Sequence, residues 1–175
     1  NKRPLKKMKT FDLIKQYKIF EKDINKRVLK VLSSGSYILG QNVKSFENNA
    51  RKYLATRYTV SCNSGTDALV MSLRALNIGS NDQVITTPFT YFATSEAISL
   101  VGAIPIFADI NPHTFNINPK KIEKLISKKT KAILSVNLFG QACELDKVSR
   151  IAKKYNLSHI AVSYTHLRAH ETATY

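Results

Sequence analysis

The sequence predicts an α/β fold in which parallel strands are joined by helices that cover both faces of one sheet. Two observations carry this expectation. From residue 58 to 157 short apolar segments alternate with helical patterns, and that alternation implies parallel strands linked by right-handed crossovers. Turn-forming residues fall between the segments, at Gly79, Gly102 and Asn111-Pro112.

Before the alternation begins, Phe20, Ile24, Val28, Val31 and Leu32 recur at helical spacing, and Gly35 stands where a left-handed C-terminal cap falls. A second amphipathic helix carries Val43, Phe46, Ala50, Tyr53 and Leu54, after the turn residues around Gly35 and Gly40. Residues 58–62 (Tyr-Thr-Val-Ser-Cys) read as the first strand. Residues 66–76 are apolar almost all round, which predicts a buried helix closed by Gly79. A strand over 84–87 leads to a helix over 93–101 stopped by Gly102. A strand over 104–110 ends at Asn111-Pro112, and a helix over 119–126 leads into a strand over 132–136. The last helix carries Leu145, Val148, Ala152 and Tyr155 on one face, and one more strand is due after Leu157.

At that point the pattern breaks. Three of the four histidines fall at or after His159. Residues 162–172 are similar to the translation of a sequencing-adapter oligonucleotide that recurs at the ends of fragmentary gene models; the other reading is a short polar helix. The adapter reading is preferred, so the histidines are not offered as a metal site.

The 175 residues, 43% hydrophobic and 9% aromatic, suit one soluble globular domain or part of one. No run approaches the ~18 apolar residues of a membrane span, and the basic start leads into charged sequence rather than a secretory segment. A cytoplasmic location with no membrane partner is expected. Cys62 and Cys143 lack disulfide-framework or zinc spacing and are expected to be buried thiols.

The net charge of +15 raises the question of nucleic acid. Its distribution argues against it. Beyond the leader, Lys120, Lys121, Lys124, Lys128, Lys129 and Lys131 read as the solvated face of a surface helix, without the aromatic interleaving that stacks bases. A basic phosphate- or nucleic-acid-binding module is kept only as an alternative.

Ligands of open parallel sheets bind at the carboxyl ends of the strands, where helix N-termini present free amides. The junction Ser64-Gly65-Thr66-Asp67 has the residues for an anion: Gly65 for close backbone approach, Thr66 for a hydroxyl, and the helix dipole behind both. The same residues also make a simple N-cap. Neither the Walker A nor the dinucleotide glycine pattern is present. The next strand end reads Thr87-Pro88-Phe89-Thr90-Tyr91-Phe92, placing aromatics beside that junction. They suit a planar cofactor or, for Phe92 in particular, the core.

These two segments, at this separation, resemble the DegT/DnrJ/EryC1/StrS family of nucleotide-sugar aminotransferases. Further stretches similar in order and spacing are Gly35-Ser36-Tyr37-Ile38-Leu39-Gly40, Asp82-Gln83-Val84-Ile85-Thr86, Val101-Gly102-Ala103-Ile104-Pro105 with Asp109-Ile110-Asn111-Pro112, and Lys129-Thr130-Lys131-Ala132-Ile133 with Phe139-Gly140-Gln141. The resemblance covers residues 11–157.

It implies the large domain of a fold-type I pyridoxal 5'-phosphate (PLP) dependent transferase, three-layered αβα with a mostly parallel sheet, here truncated. Residues 1–35 are then a basic leader and helix, 36–160 a partial PLP-binding domain, and 161–175 a non-native tail. The family is usually homodimeric. It uses its Gly-Thr pair on the cofactor phosphate, which carries over to Gly65 and Thr66, and stacks an aromatic on the pyridine ring, which carries over to Tyr91. Its pyridinium aspartate and Schiff-base lysine motifs are absent from this sequence, so no catalytic residue is assigned and no turnover is expected of the chain as written. The implied reaction is transfer of an amino group, typically from glutamate, to a nucleotide-linked keto-sugar for surface polysaccharide. Some relatives dehydrate sugars with the same cofactor.

The tail reading is decided by the genomic sequence downstream of the codon for Leu157: an acidic strand followed by a lysine motif is expected. A genome that encodes residues 162–172 as given would refute it.

Overall fold

The computed structural model describes residues 12–163, so the basic leader and residues 164–175 of the tail lie outside the described residues. The chain divides into two compact units, one up to Asn48 and the other from Asn49.

In the first unit, helix α1 (Leu13–Ser34) starts where Asp12 accepts a hydrogen bond from the Lys15 amide at 3.0 Å. It ends as the sequence expects, on Gly35 at φ 66°. No residue of α1 is buried. Helix α2 (Gln41–Leu54) runs from this unit into the next.

The second unit continues with α3 (Gly65–Ala75), β1 (Gln83–Thr86), α4 (Ala93–Leu100), β2 (Ile104–Phe107), α5 (Pro119–Ile122), β3 (Thr130–Asn137), α6 (Leu145–Lys154) and β4 (Ser158–Ser163). The strands form one sheet in the order β2-β1-β3-β4, every pair parallel. Successive side chains on a strand point to opposite faces. On one face Val84, Ala132, Leu134 and Val136 pack with Leu69 and Leu73 of α3 and Ala97 and Ile98 of α4. On the other, Ile85 and Ile133 pack with Ile122 of α5 and Val148 and Ala152 of α6. Three layers result, and both faces of β1 and β3 are covered.

Several expectations need correction. Residues 58–62 are not a strand: no other described strand pairs with them, and Tyr58 and Val60 are 75% and 79% exposed. An extended run becomes a strand only with a ladder beside it. Helix α3 buries one face, not its whole girth, through Leu69 and Leu73. It closes at Asn77 (φ 55°) rather than Gly79, since asparagine also tolerates the left-handed region. The strand expected over 104–110 stops at Phe107, and the helix over 119–126 tightens into a 3-10 turn at Glu123–Leu125. Cys62 is exposed, and only Cys143 is buried. The six lysines of the 120–131 cluster are all exposed, as expected, but they do not share one helix: Lys120 and Lys121 lie on α5, Lys124 in the 3-10 turn, Lys128 and Lys129 in the connection that follows and Lys131 on β3.

The strand due after Leu157 is present. Ala161, Val162 and Ser163 lie opposite Ser135, Val136 and Asn137, so pairing runs through residue 163. On β4, His159 sits between two serines, Ser135 Oγ at 2.8 Å from Nε2 and Ser149 Oγ at 2.9 Å from Nδ1. Burial holds its pKa below the ordinary 6.5 because desolvation disfavours the charged ring. The folded chain therefore takes up this proton less readily than the unfolded chain. Stability should be intact above pH 6.5 and fall as the pH drops below it. In urea titrations at pH 7.5 and 5.5, His159→Gln should lose part of the acid-side fall in midpoint; an unchanged fall would refute the assignment.

Candidate functional site

The candidate site is built where α3 begins. Ser64, in extended conformation, is the N-cap: its side-chain oxygen accepts from the Asp67 amide at 3.1 Å, and its hydroxyl donates to Asp67 Oδ2 at 2.8 Å. The Ser64 carbonyl accepts from the Ala68 amide at 3.1 Å. The amides ahead of these, of Gly65 and Thr66, have no acceptor among the described residues. They are two of the orphan donors of a helix start, with the positive end of the helix dipole behind them. Gly65 is exposed and Thr66 half-buried.

Gly65 does not use a left-handed backbone, and a β-carbon placed on it meets no atom within 4 Å. The chain's own backbone therefore does not require glycine there. The open space in front of the two amides is what a side chain would narrow.

Tyr91 lies in the connection from β1 to α4. Its carbonyl accepts from the Thr94 amide at 3.1 Å, and the Phe89 amide donates to Thr87 Oγ1 at 3.2 Å. Local bonds thus shape the loop and leave its rings outside: Tyr91 and Phe92 are each 72% exposed. The expectation that Phe92 belongs to the core is overturned, because Ala93 and Thr94 take the buried positions at the start of α4. Phe89 instead pairs with Phe115 of the β2–α5 connection, ring centroids 5.5 Å apart.

Helix α3 precedes β1 and α4 follows it, both on the same face. Both helices run back against the strands, so both begin at the carboxyl end of the sheet. Gly65 and Thr66, at the start of α3, and Tyr91, in the loop that leads into α4, come to that one end.

The sequence reading missed one element there, the connection from β3 to α6. Buried Asn116 accepts from the Leu138 amide at 3.1 Å and donates to the Gln141 carbonyl at 3.1 Å. Buried Asn137 accepts from the Cys143 amide at 2.8 Å. Between them Phe139 is held at φ 53°, ψ 26° and is 78% exposed. Gly140 beside it marks a turn in the sequence, but a clamp reaching across from residue 116 has no local signature.

Elsewhere, a basic groove between α5 and α6 is lined by Lys120, Glu123, Lys147, Arg150 and Lys154. Its Lys154 is kept charged by its hydrogen bond to Glu123, which raises its pKa. Among the described residues no group of three His, Cys, Asp or Glu could hold a metal ion. No described helix is long and apolar enough to cross a membrane.

The three-layer α/β domain brings two unspent helix-start amides and an exposed tyrosine to the carboxyl end of a parallel sheet, the end at which folds of this class bind their ligands. The sequence profile of the DegT/DnrJ/EryC1/StrS aminotransferase family matches residues 18–161, and the chain belongs to that family. It is 40% identical over 146 residues to a UDP-2-acetamido-2-deoxy-3-oxo-D-glucuronate aminotransferase of Pseudomonas aeruginosa, covering 83% of this chain and 41% of that protein. It is 43% identical over 141 residues to a dTDP-3-amino-3,6-dideoxy-alpha-D-galactopyranose transaminase of Aneurinibacillus thermoaerophilus, covering 81% of this chain and 39% of that protein. Among solved structures, NtdA of Bacillus subtilis with its cofactor PMP bound superposes with TM-score 0.86 at 34% identity, covering 91% of this chain and 37% of that chain. The chain thus spans about two-fifths of the length of the curated relatives cited.

Gly65→Ala should leave the thermal midpoint unchanged or slightly raised, in line with the ~0.4–1 kcal/mol of a compatible Gly→Ala change. It should weaken binding of inorganic phosphate, read by phosphorus NMR titration. A loss of fold, or unchanged binding, would count against the site.

Proposed function

We propose that the whole protein transfers an amino group, with glutamate as donor, to a keto-sugar carried on a nucleotide, for surface-polysaccharide or related amino-sugar synthesis. It works as a cytoplasmic homodimer. The observation that supports this most is the pair of free amides at Gly65 and Thr66, at the same end of the sheet as Tyr91. The relatives named above act on UDP- and dTDP-linked sugars according to their names, and another is named a 3-oxo-glucose-6-phosphate:glutamate aminotransferase.

The residues present fit the phosphate and ring of pyridoxal 5'-phosphate. The Gly65 and Thr66 amides and the Thr66 hydroxyl would hold the phosphate, whose charge the helix dipole favours. Tyr91, exposed at the same end of the sheet, would cover the ring and keep water from that face. The bound cofactor supplies an electron sink for moving an amino group between carbons. The proton-transfer lysine and the acid that pairs with the ring nitrogen are not assigned to any residue of this sequence. Within it, residues 36–160 act as a partial cofactor-binding domain and 161–175 as a foreign tail.

The chain should bind pyridoxal phosphate reversibly, with Thr66→Ala and Tyr91→Ala each weakening binding in a fluorescence titration. Borohydride treatment followed by peptide mapping should show no stoichiometric adduct at any one lysine. A single lysine labelled to completion would overturn the claim that the chain lacks the catalytic group.

A further inference from the structure

The β3–α6 connection holds a large apolar side chain outside the core under backbone constraint. Phe139 is in the left-handed region, which bulky residues rarely occupy, and it is 78% exposed. Among the described residues the one ring–ring contact, Phe89 with Phe115, does not include it. Two asparagines that are 2% and 1% exposed fix the backbone on either side of it, Asn116 through Leu138 and Gln141 and Asn137 through Cys143. Buried polar groups spent on one loop conformation over-determine it, and strain held in this way clusters at ligand-contacting positions.

The placement is specific. Strand β3 lies beside β1 in the sheet, so the connection leaving β3 emerges next to the one that carries Tyr91. Asn116 comes from the connection after β2. The connections leaving β2 and β3 are thereby tied together at the end where Gly65 and Thr66 present their amides.

Resting on the function proposed above, we infer that Phe139 is a specificity-determining residue, a fixed aromatic platform for the ring of the nucleotide-sugar substrate. Its exposed face offers stacking area, and its locked backbone means that little freedom remains to be lost on binding. The clamp asparagines act through Phe139 and are positioning residues.

The test measures two ligands separately on the 175-residue chain by calorimetric or NMR titration: inorganic phosphate, and UDP-N-acetylglucosamine as a stable nucleotide sugar. Phe139→Tyr should keep nucleotide-sugar affinity within about twofold, and Phe139→Gly should weaken it by tenfold or more, the size of one lost aromatic stack. Phe139→Gly should also raise the thermal midpoint, because glycine accepts the left-handed backbone freely. Phosphate affinity should be the same in all three proteins. Unchanged nucleotide-sugar affinity in Phe139→Gly, or no nucleotide-sugar binding by the parent chain that still binds phosphate, overturns the inference and leaves the cofactor site standing. Loss of phosphate binding in the parent chain instead overturns the function on which it rests.

Discussion

In a parallel sheet every connection has to travel back the length of the strands before the next strand can begin. That single constraint arranges this molecule. Helices α4, α5 and α6 each lie on a return path between strands, and α3 packs on the sheet ahead of β1; each buries a face, which fills the two apolar layers on either side of Val84, Ile85 and Ile133. The same geometry gathers helix starts and strand ends on one side. Amides without partners and side chains that no core needs collect there as a by-product of topology, and chemistry is assembled from them.

The start of α3 shows how one short segment serves fold and site together. The cap and the proposed anion site, alternatives on paper, use different atoms. Ser64 and Asp67 satisfy each other and the third amide of the helix, leaving the first two pointing outward. Stability of the helix start therefore does not depend on a ligand, and the donors are held in place beforehand. The backbone at Gly65 would accept a larger residue, since a β-carbon there meets no atom within 4 Å.

The sequence made the layered class, the strands around Val84, Ile104 and Ala132, and the Gly35 and Gly102 stops legible, because apolar period and turn chemistry are local. Gly65, Thr66 and Tyr91 were legible as parts of motifs, and topology brings them to one end. What could not be read was set by distant partners. Residues 58–62 have the composition of a strand but no described neighbour to pair with. Phe92 looks like core material, and only the packing of Ala93 and Thr94 excludes it. The loop around Phe139 is shaped by an asparagine more than twenty positions away in the chain, which no window of neighbouring residues reveals.

The two outermost strands of the sheet differ in one atom that matters. The Ile104 and Ala108 amides both donate inward to β1, at 2.8 and 2.7 Å, so by alternation the nitrogen of Pro105 faces away from the sheet, where it has no hydrogen to give. On that flank an incoming chain would find the ladder interrupted. Strand β4, six residues without proline, carries no such block. Any lateral growth of this sheet is thus directional, closed beyond β2 and permitted beyond β4.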